Sequence, residues 1–210
     1  MRNNLFVIAK NGWSYVGISF LLFAFFAFID SDLLAFIFFG ATLLFLYIFR
    51  NPERELPVFE DNSILSPVDG AVNSIVELDD SEYAYRVDIE SNYLDVSILR
   101  APMHAKIKSL NLQHGTRVSS MSKLFSDTNE KAEIVFIDKN GNQMKVVHTL
   151  KQSFSPLILN VIPSQQVHQT ARYGFMNNGI TSIYLPQNVR INVNVTNELK
   201  ASESLLGYFS

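Results

Sequence analysis

The residues able to do chemistry in this chain of 210 are few and scattered. There is no Cys, which excludes disulfides, thiolate-bound metals, iron–sulfur clusters and a thiol nucleophile. The histidines are His104, His114, His148 and His168. No two are spaced i,i+4 and none adjoins a carboxylate motif, so no metal centre is expected. Serines are many, but no GxSxG elbow, GxGxxG or GxxxxGK[ST] loop occurs. The stretch RYGFMNNGITSIYLP (172–186) has the form of a reactive site: a hinge, Asn178-Gly179, between an apolar run and a strand ending in Pro186. Yet Ile180 follows the glycine, and the nearest hydroxyls are Thr181 and Ser182.

Charge narrows the partners. The net charge is −3 with pI about 5.8, which argues against nucleic acid bound through a general basic field. Basic residues at 50, 54, 100, 106, 108 and 117 read either as a surface for anionic lipid heads or as scattered solubilising charge.

The elements that must carry these residues fall into two parts. Uncharged runs of 17 residues, Trp13 to Ile29 and Leu33 to Phe49, flank Asp30-Ser31-Asp32. They predict a transmembrane helical hairpin, because a chain in hydrocarbon must satisfy its own backbone. Arg2 and Lys10 precede it and Arg50 and Arg54 follow it, so both ends are expected in the cytoplasm. A cleaved signal peptide fits less well, since a second apolar run follows at once. The expected division is a hairpin over 1–50, a linker over 51–63 and a soluble, mainly β domain over 64–210.

In that domain short apolar or β-branched runs alternate with turns. Expected strands are 71–78, 85–90, 93–99, 104–112, 132–138, 144–150, 180–186 and 189–197. Asn140-Gly141 predicts a hairpin between the fifth and sixth of them. A helix fits 156–169 only if Pro163 is overridden. The fold class expected is antiparallel sheets in a barrel-like sandwich.

Several motifs, in order, resemble the short, membrane-anchored phosphatidylserine decarboxylases. Phe49-Arg50-Asn51-Pro52-Glu53-Arg54 resembles F-R-[DN]-P-x-R, and Ile64 to Gly70 (ILSPVDG) resembles ILSPADG. Asp95 to Pro102 (DVSILRAP) is similar to DVHVNRAP, Asn129-Glu130-Lys131 to NER, and Arg172-Tyr173-Gly174 with Tyr184-Leu185-Pro186 to RFG…YLP. The likeness spans nearly the whole chain. It implies the decarboxylase fold and a place in phosphatidylethanolamine metabolism at the inner membrane. It also implies a carboxy-lyase whose only cofactor is a pyruvoyl group, made by cutting the chain at Gly-Ser. In the family an Asp and a His are thought to orient and deprotonate that Ser. Asp69 matches the Asp, or only caps a turn; Arg100 and Arg172 lie in matched motifs and are candidates for substrate binding, with Arg172 pairing either a lipid phosphate or a carboxylate of the fold.

The likeness fails at the chemistry. The family segment RFGxIxFGSRVDxYLP has sixteen positions, and this chain has fifteen between the same ends. Counting from Arg172, the Ser position holds Ile180; counting back from Pro186, it holds Gly179. Neither bears a hydroxyl. The His of DVH is Ser97, and the Asp of RAPxDG is His104, which lies about 23 Å from Ser97 along an extended strand. The basic pair of QIAGxxARR is missing. The leading expectation is a non-catalytic relative with no pyruvoyl group, bound to membrane phospholipid, with a homo-oligomer or a membrane protein partner also open. The alternatives are a divergent decarboxylase processed before Thr181 or Ser182, and a non-catalytic subunit of an active decarboxylase.

Overall fold

The computed structural model describes residues 7–54, 59–60, 62–80 and 82–210. Arg2 of the predicted charge flank, and 55–58 and 61 of the predicted linker, lie outside them. The chain divides into two compact units, Met1–Glu53 and Arg54–Ser210.

In the first unit a single 3₁₀ turn leads into α1 (Trp13–Phe28), and α2 (Asp32–Ile48) follows a turn with Asp30 in the left-handed region (φ 55°). The helices pair antiparallel: Phe26 stacks on Phe38 and Tyr15 meets Phe45, with ring centroids 5.4 and 5.6 Å apart. Between these pairs Thr42 donates to Ser19 Oγ (3.1 Å), a polar link between otherwise apolar helices. Two equal spans were expected. By length and composition, among the described residues, only the helical stretch Lys10–Phe28 (19 residues) suffices to cross a membrane; α2 has 17 residues.

The second unit is mainly antiparallel β, as expected. Its strands are β1 (Ser63–Leu65), β2 (Gly70–Glu77), β3 (Tyr85–Ser91), β4 (Ile98–Arg100), β5 (Ala105–Gln113), β6 (Lys131–Ile137), β7 (Gln143–Leu150), β8 (Ile158–Leu159), β9 (Gln166–Val167), β10 (Arg172–Phe175), β11 (Gly179–Leu185), β12 (Val189–Ile191), β13 (Glu198–Leu199) and β14 (Leu205–Phe209). One turn of helix, α3 (Phe125–Thr128), lies between β5 and β6. An eight-stranded sheet has the order β13-β2-β3-β11-β7-β6-β5-β9, beside two three-stranded sheets, β1-β14-β12 and β4-β10-β8. Alternation in β7 and β11 turns every second side chain into the core with Val87, Ile89, Ile134, Phe136, Val146 and Ile183. The Asn140-Gly141 hairpin forms: Gly141 takes φ 87°, and Asp138 Oδ1 accepts from the Asn140 and Asn142 amides.

Three expectations are corrected. The expected strand 93–99 begins only at Ile98, because Asp95 folds back to accept from the Asn92 amide (2.7 Å). The expected strand 189–197 stops at Ile191, where Asn194 and Asn197 close a turn on each other. No helix fills 156–169; β8 and β9 flank Pro163 instead.

Candidate functional site

The hinge read from the sequence is a short connection, Met176-Asn177-Asn178, between β10 and the central strand β11. Asn178 adopts φ 64°, which Asn tolerates, and the chain then enters the sheet at once. Gly179 lies opposite Ser91 of β3 and Leu150 of β7; Ile180 lies opposite Glu90 and Thr149. A Cβ on Gly179 would sit 2.6 Å from Met176 Sδ and 2.7 Å from the Thr149 carbonyl oxygen, so only glycine fits. Glu90 and Lys151 form an ion pair beside Ile180 (2.5 Å), and the Lys151 amide donates to the Asn178 carbonyl (3.0 Å).

Ser97 does reach this junction. It is buried, its carbonyl accepts from the Met176 amide (2.8 Å), and its hydroxyl accepts from Asn177 Nδ2 (3.0 Å). Ser97 therefore touches the loop in front of Gly179. Asp69 is buried beside the same strands, and its carbonyl accepts from Ser91 (2.5 Å). Its carboxylate is held elsewhere, by Arg54 Nη2 (2.6 Å) and the Ala201 amide (2.8 Å). Arg54 also meets Glu203 (3.4 Å), a tie that its reading as a flanking charge did not reveal.

Thr181 and Ser182 point to opposite faces of β11, as its alternation requires. Thr181 is fully buried, with Oγ1 2.8 Å from His148 Nδ1, and His148 Nε2 is 2.5 Å from the Tyr173 hydroxyl. Burial depresses the His148 ring to about 3 and pushes the Tyr173 hydroxyl up. The ring is thus neutral, donating from one nitrogen and accepting at the other. Ser182 donates to Asp88 Oδ1 (2.6 Å) on the other face, where Asp88 also accepts from Ser74. His148 and Tyr173 carry no local motif; only the register that sets Thr181 opposite His148 brings them together.

Arg100, three residues after Ser97, and Arg172, seven before Gly179, are opposed across β4 and β10, and Arg100 Nη1 reaches the Thr170 carbonyl (3.5 Å). His104 lies apart. Pairing of Ala105 with Val167 sets it beside His168, ring centroids 4.8 Å apart, at the opposite end of the large sheet. A cleft of about 740 Å³ opens there, lined also by Asn62, Asp138 and Asn140.

Fold and junction define an antiparallel β protein organised around one buried loop-to-strand joint. The family model for phosphatidylserine decarboxylase matches residues 41–207. A phosphatidylserine decarboxylase proenzyme of Ehrlichia chaffeensis is 30% identical over 99% of this chain and 94% of its own length. One of Desulfotalea psychrophila is 27% identical over 95% of both, and one of Ehrlichia ruminantium 30% over 96% and 90%. The chain belongs to the phosphatidylserine decarboxylase family.

That family works through a covalent pyruvoyl group generated by self-cleavage. The residues at this junction do not fit it. Ile180 carries no oxygen to attack the Gly179 carbonyl, and both residues are laddered to a strand on each side.

Proposed function

We propose that this chain is a membrane-anchored member of the family that remains one uncut polypeptide and engages phospholipid without decarboxylating it. Its anchor is the N-terminal helix pair, with both ends and the β domain on the cytoplasmic side. One observation carries the reading: the junction Gly179–Ile180 lacks a side-chain hydroxyl, and Ser97, at the position where the family motif has its His, offers a hydroxyl that accepts from Asn177 instead of an imidazole. An acyl shift needs a side-chain nucleophile and a group to take its proton; neither is supplied. Intact mass spectrometry of the purified chain is expected to give one species of 23.8 kDa. Two fragments divided near residue 180 would overturn it.

The Thr181–His148 contact supports a second reading, a divergent decarboxylase split ahead of Thr181. Against it, a ring held near 3 by burial is a weak base at neutral pH, and Thr181 is closed off from water. The same mass measurement separates the two, since this reading requires a C-terminal fragment beginning at residue 181 with a keto terminus.

A further inference from the structure

The large sheet holds a second meeting of chemistry-bearing side chains, at the end away from the junction. Val167 of β9 pairs with Ala105 of β5, and one step further along the same register His168 stands across from His104. Residues opposed in this way bring their Cβ atoms within about 5 Å of each other. Met103, Ala105 and Val167 are buried, so alternation sends both imidazoles to the outer face, where they are exposed. The backbone beneath them is held on either side. The Thr170 amide donates to the Ala101 carbonyl (2.8 Å), and the Ala101 amide to the Ala171 carbonyl (2.9 Å). Beyond the pair, the Ile107 amide donates to the Gln165 carbonyl (2.9 Å). Gln169, next to His168, donates from Nε2 to the Ser63 and Pro102 carbonyls (3.0 and 3.2 Å).

Two imidazoles on a fixed backbone can chelate. An ion about 2.1 Å from one nitrogen of each ring lies about 3.2 Å from each ring centre. With centroids 4.8 Å apart, the two rings then subtend about 97° at the ion, between the octahedral and tetrahedral angles. The rings meet edge to face at 69°, and both are exposed, so rotation about their side-chain bonds can turn a nitrogen of each to one point. The surrounding charge is weak in either direction: Asp138 and Lys139 of the cleft wall oppose each other, and Lys106 adds one positive charge two residues from His104. Asp138 is also committed to its own hairpin, where Oδ1 accepts from the Asn140 and Asn142 amides and Oδ2 from Asn142 Nδ2. Ligand chemistry therefore decides. Neutral imidazole suits Cu²⁺, Ni²⁺ and Zn²⁺ and not Mg²⁺ or Ca²⁺, with Cu²⁺ bound most tightly. Among the described residues no group of three or more His, Asp or Glu could close around a metal, so the ion keeps water on its remaining positions, facing the cleft.

We propose that His104 and His168 chelate a first-row divalent ion, Cu²⁺, Ni²⁺ or Zn²⁺, at the mouth of this cleft, and that the ion clips the two-residue strand β9 to β5. The pair owes nothing to the family motif, which has Asp at the position of His104. The site stands whether or not the chain is cut at Gly179–Ile180.

The test adds Cu²⁺ to the full-length chain, purified in detergent without a histidine tag. Electron paramagnetic resonance should show one tightly held ion per chain, split by two imidazole nitrogens. His104→Phe and His168→Phe keep an aromatic ring at each position and remove a ligand. Either should weaken binding about a hundredfold or more, because chelation becomes attachment through a single group. His114→Phe, at an exposed histidine elsewhere, should leave binding unchanged. Zn²⁺ should raise the urea midpoint of wild type and leave those of the His104 and His168 variants in place. A two-nitrogen signal that survives in either of those variants, a one-nitrogen signal in wild type, or a site still unsaturated at about 1 mM Cu²⁺ overturns the proposal. A midpoint that Zn²⁺ does not move, with the Cu²⁺ signal as expected, overturns the clipping of β9 alone.

Discussion

At the residue scale, the buried row Thr181–His148–Tyr173 is a cost that the fold meets by hydrogen bonding every member. It also makes stability depend on pH. His148 titrates near 3 in the folded chain and near its ordinary 6.5 when unfolded, so between those values only the unfolded state takes the proton. Stability therefore falls as pH drops below about 6.5, by up to about 1.4 kcal/mol per pH unit from this group. Urea unfolding of wild type and His148→Gln at about pH 7 and about pH 5 should show the acid loss reduced in the variant. An equal loss in both would refute the assignment. Asp69 illustrates the other outcome of burial: its carboxylate is committed to Arg54 and the Ala201 amide, a structural tie where the family motif suggests chemistry.

At the scale of elements, β11 decides what the junction can do. It lies between β3 and β7, so its backbone groups are engaged on both sides, and its alternation separates Thr181 from Ser182. Entry into the strand depends on Gly179. Gly179→Ala would push a methyl against the Thr149 carbonyl and Met176, and the expected result is a loss of about 1–3 kcal/mol, read as a lowered unfolding midpoint. Unchanged stability would mean that the close approach relaxes freely. Strands such as β6 and β7 were legible because short apolar, β-branched runs between turn signals need no distant information. The stretches 93–97 and 192–197 share that pattern but bend, since Asp and Asn side chains there offer the backbone a local partner that competes with a sheet.

At the scale of the whole molecule, the proposed anchoring gives the two units different solvents. The net charge of −3 supplies no general attraction to anionic membranes, so the proposed attachment depends on the apolar helices. Washing membranes with concentrated salt or alkaline carbonate should leave the chain in the pellet. Release by salt alone would mean that charge, not the helix pair, holds it.

The sequence by itself determined the family, the apolar N-terminal pair, the antiparallel β character and the missing hydroxyl at Ile180, because motif order, hydropathy, period and side-chain chemistry are all local properties. Tertiary structure decided the rest. Only strand register could set Thr181 against His148, bring Ser97 to the loop before Gly179, turn Asp69 toward Arg54 and send His104 to the far end of the sheet. Those neighbours are distant in the chain, and one residue of slip in any ladder would have faced each side chain the other way.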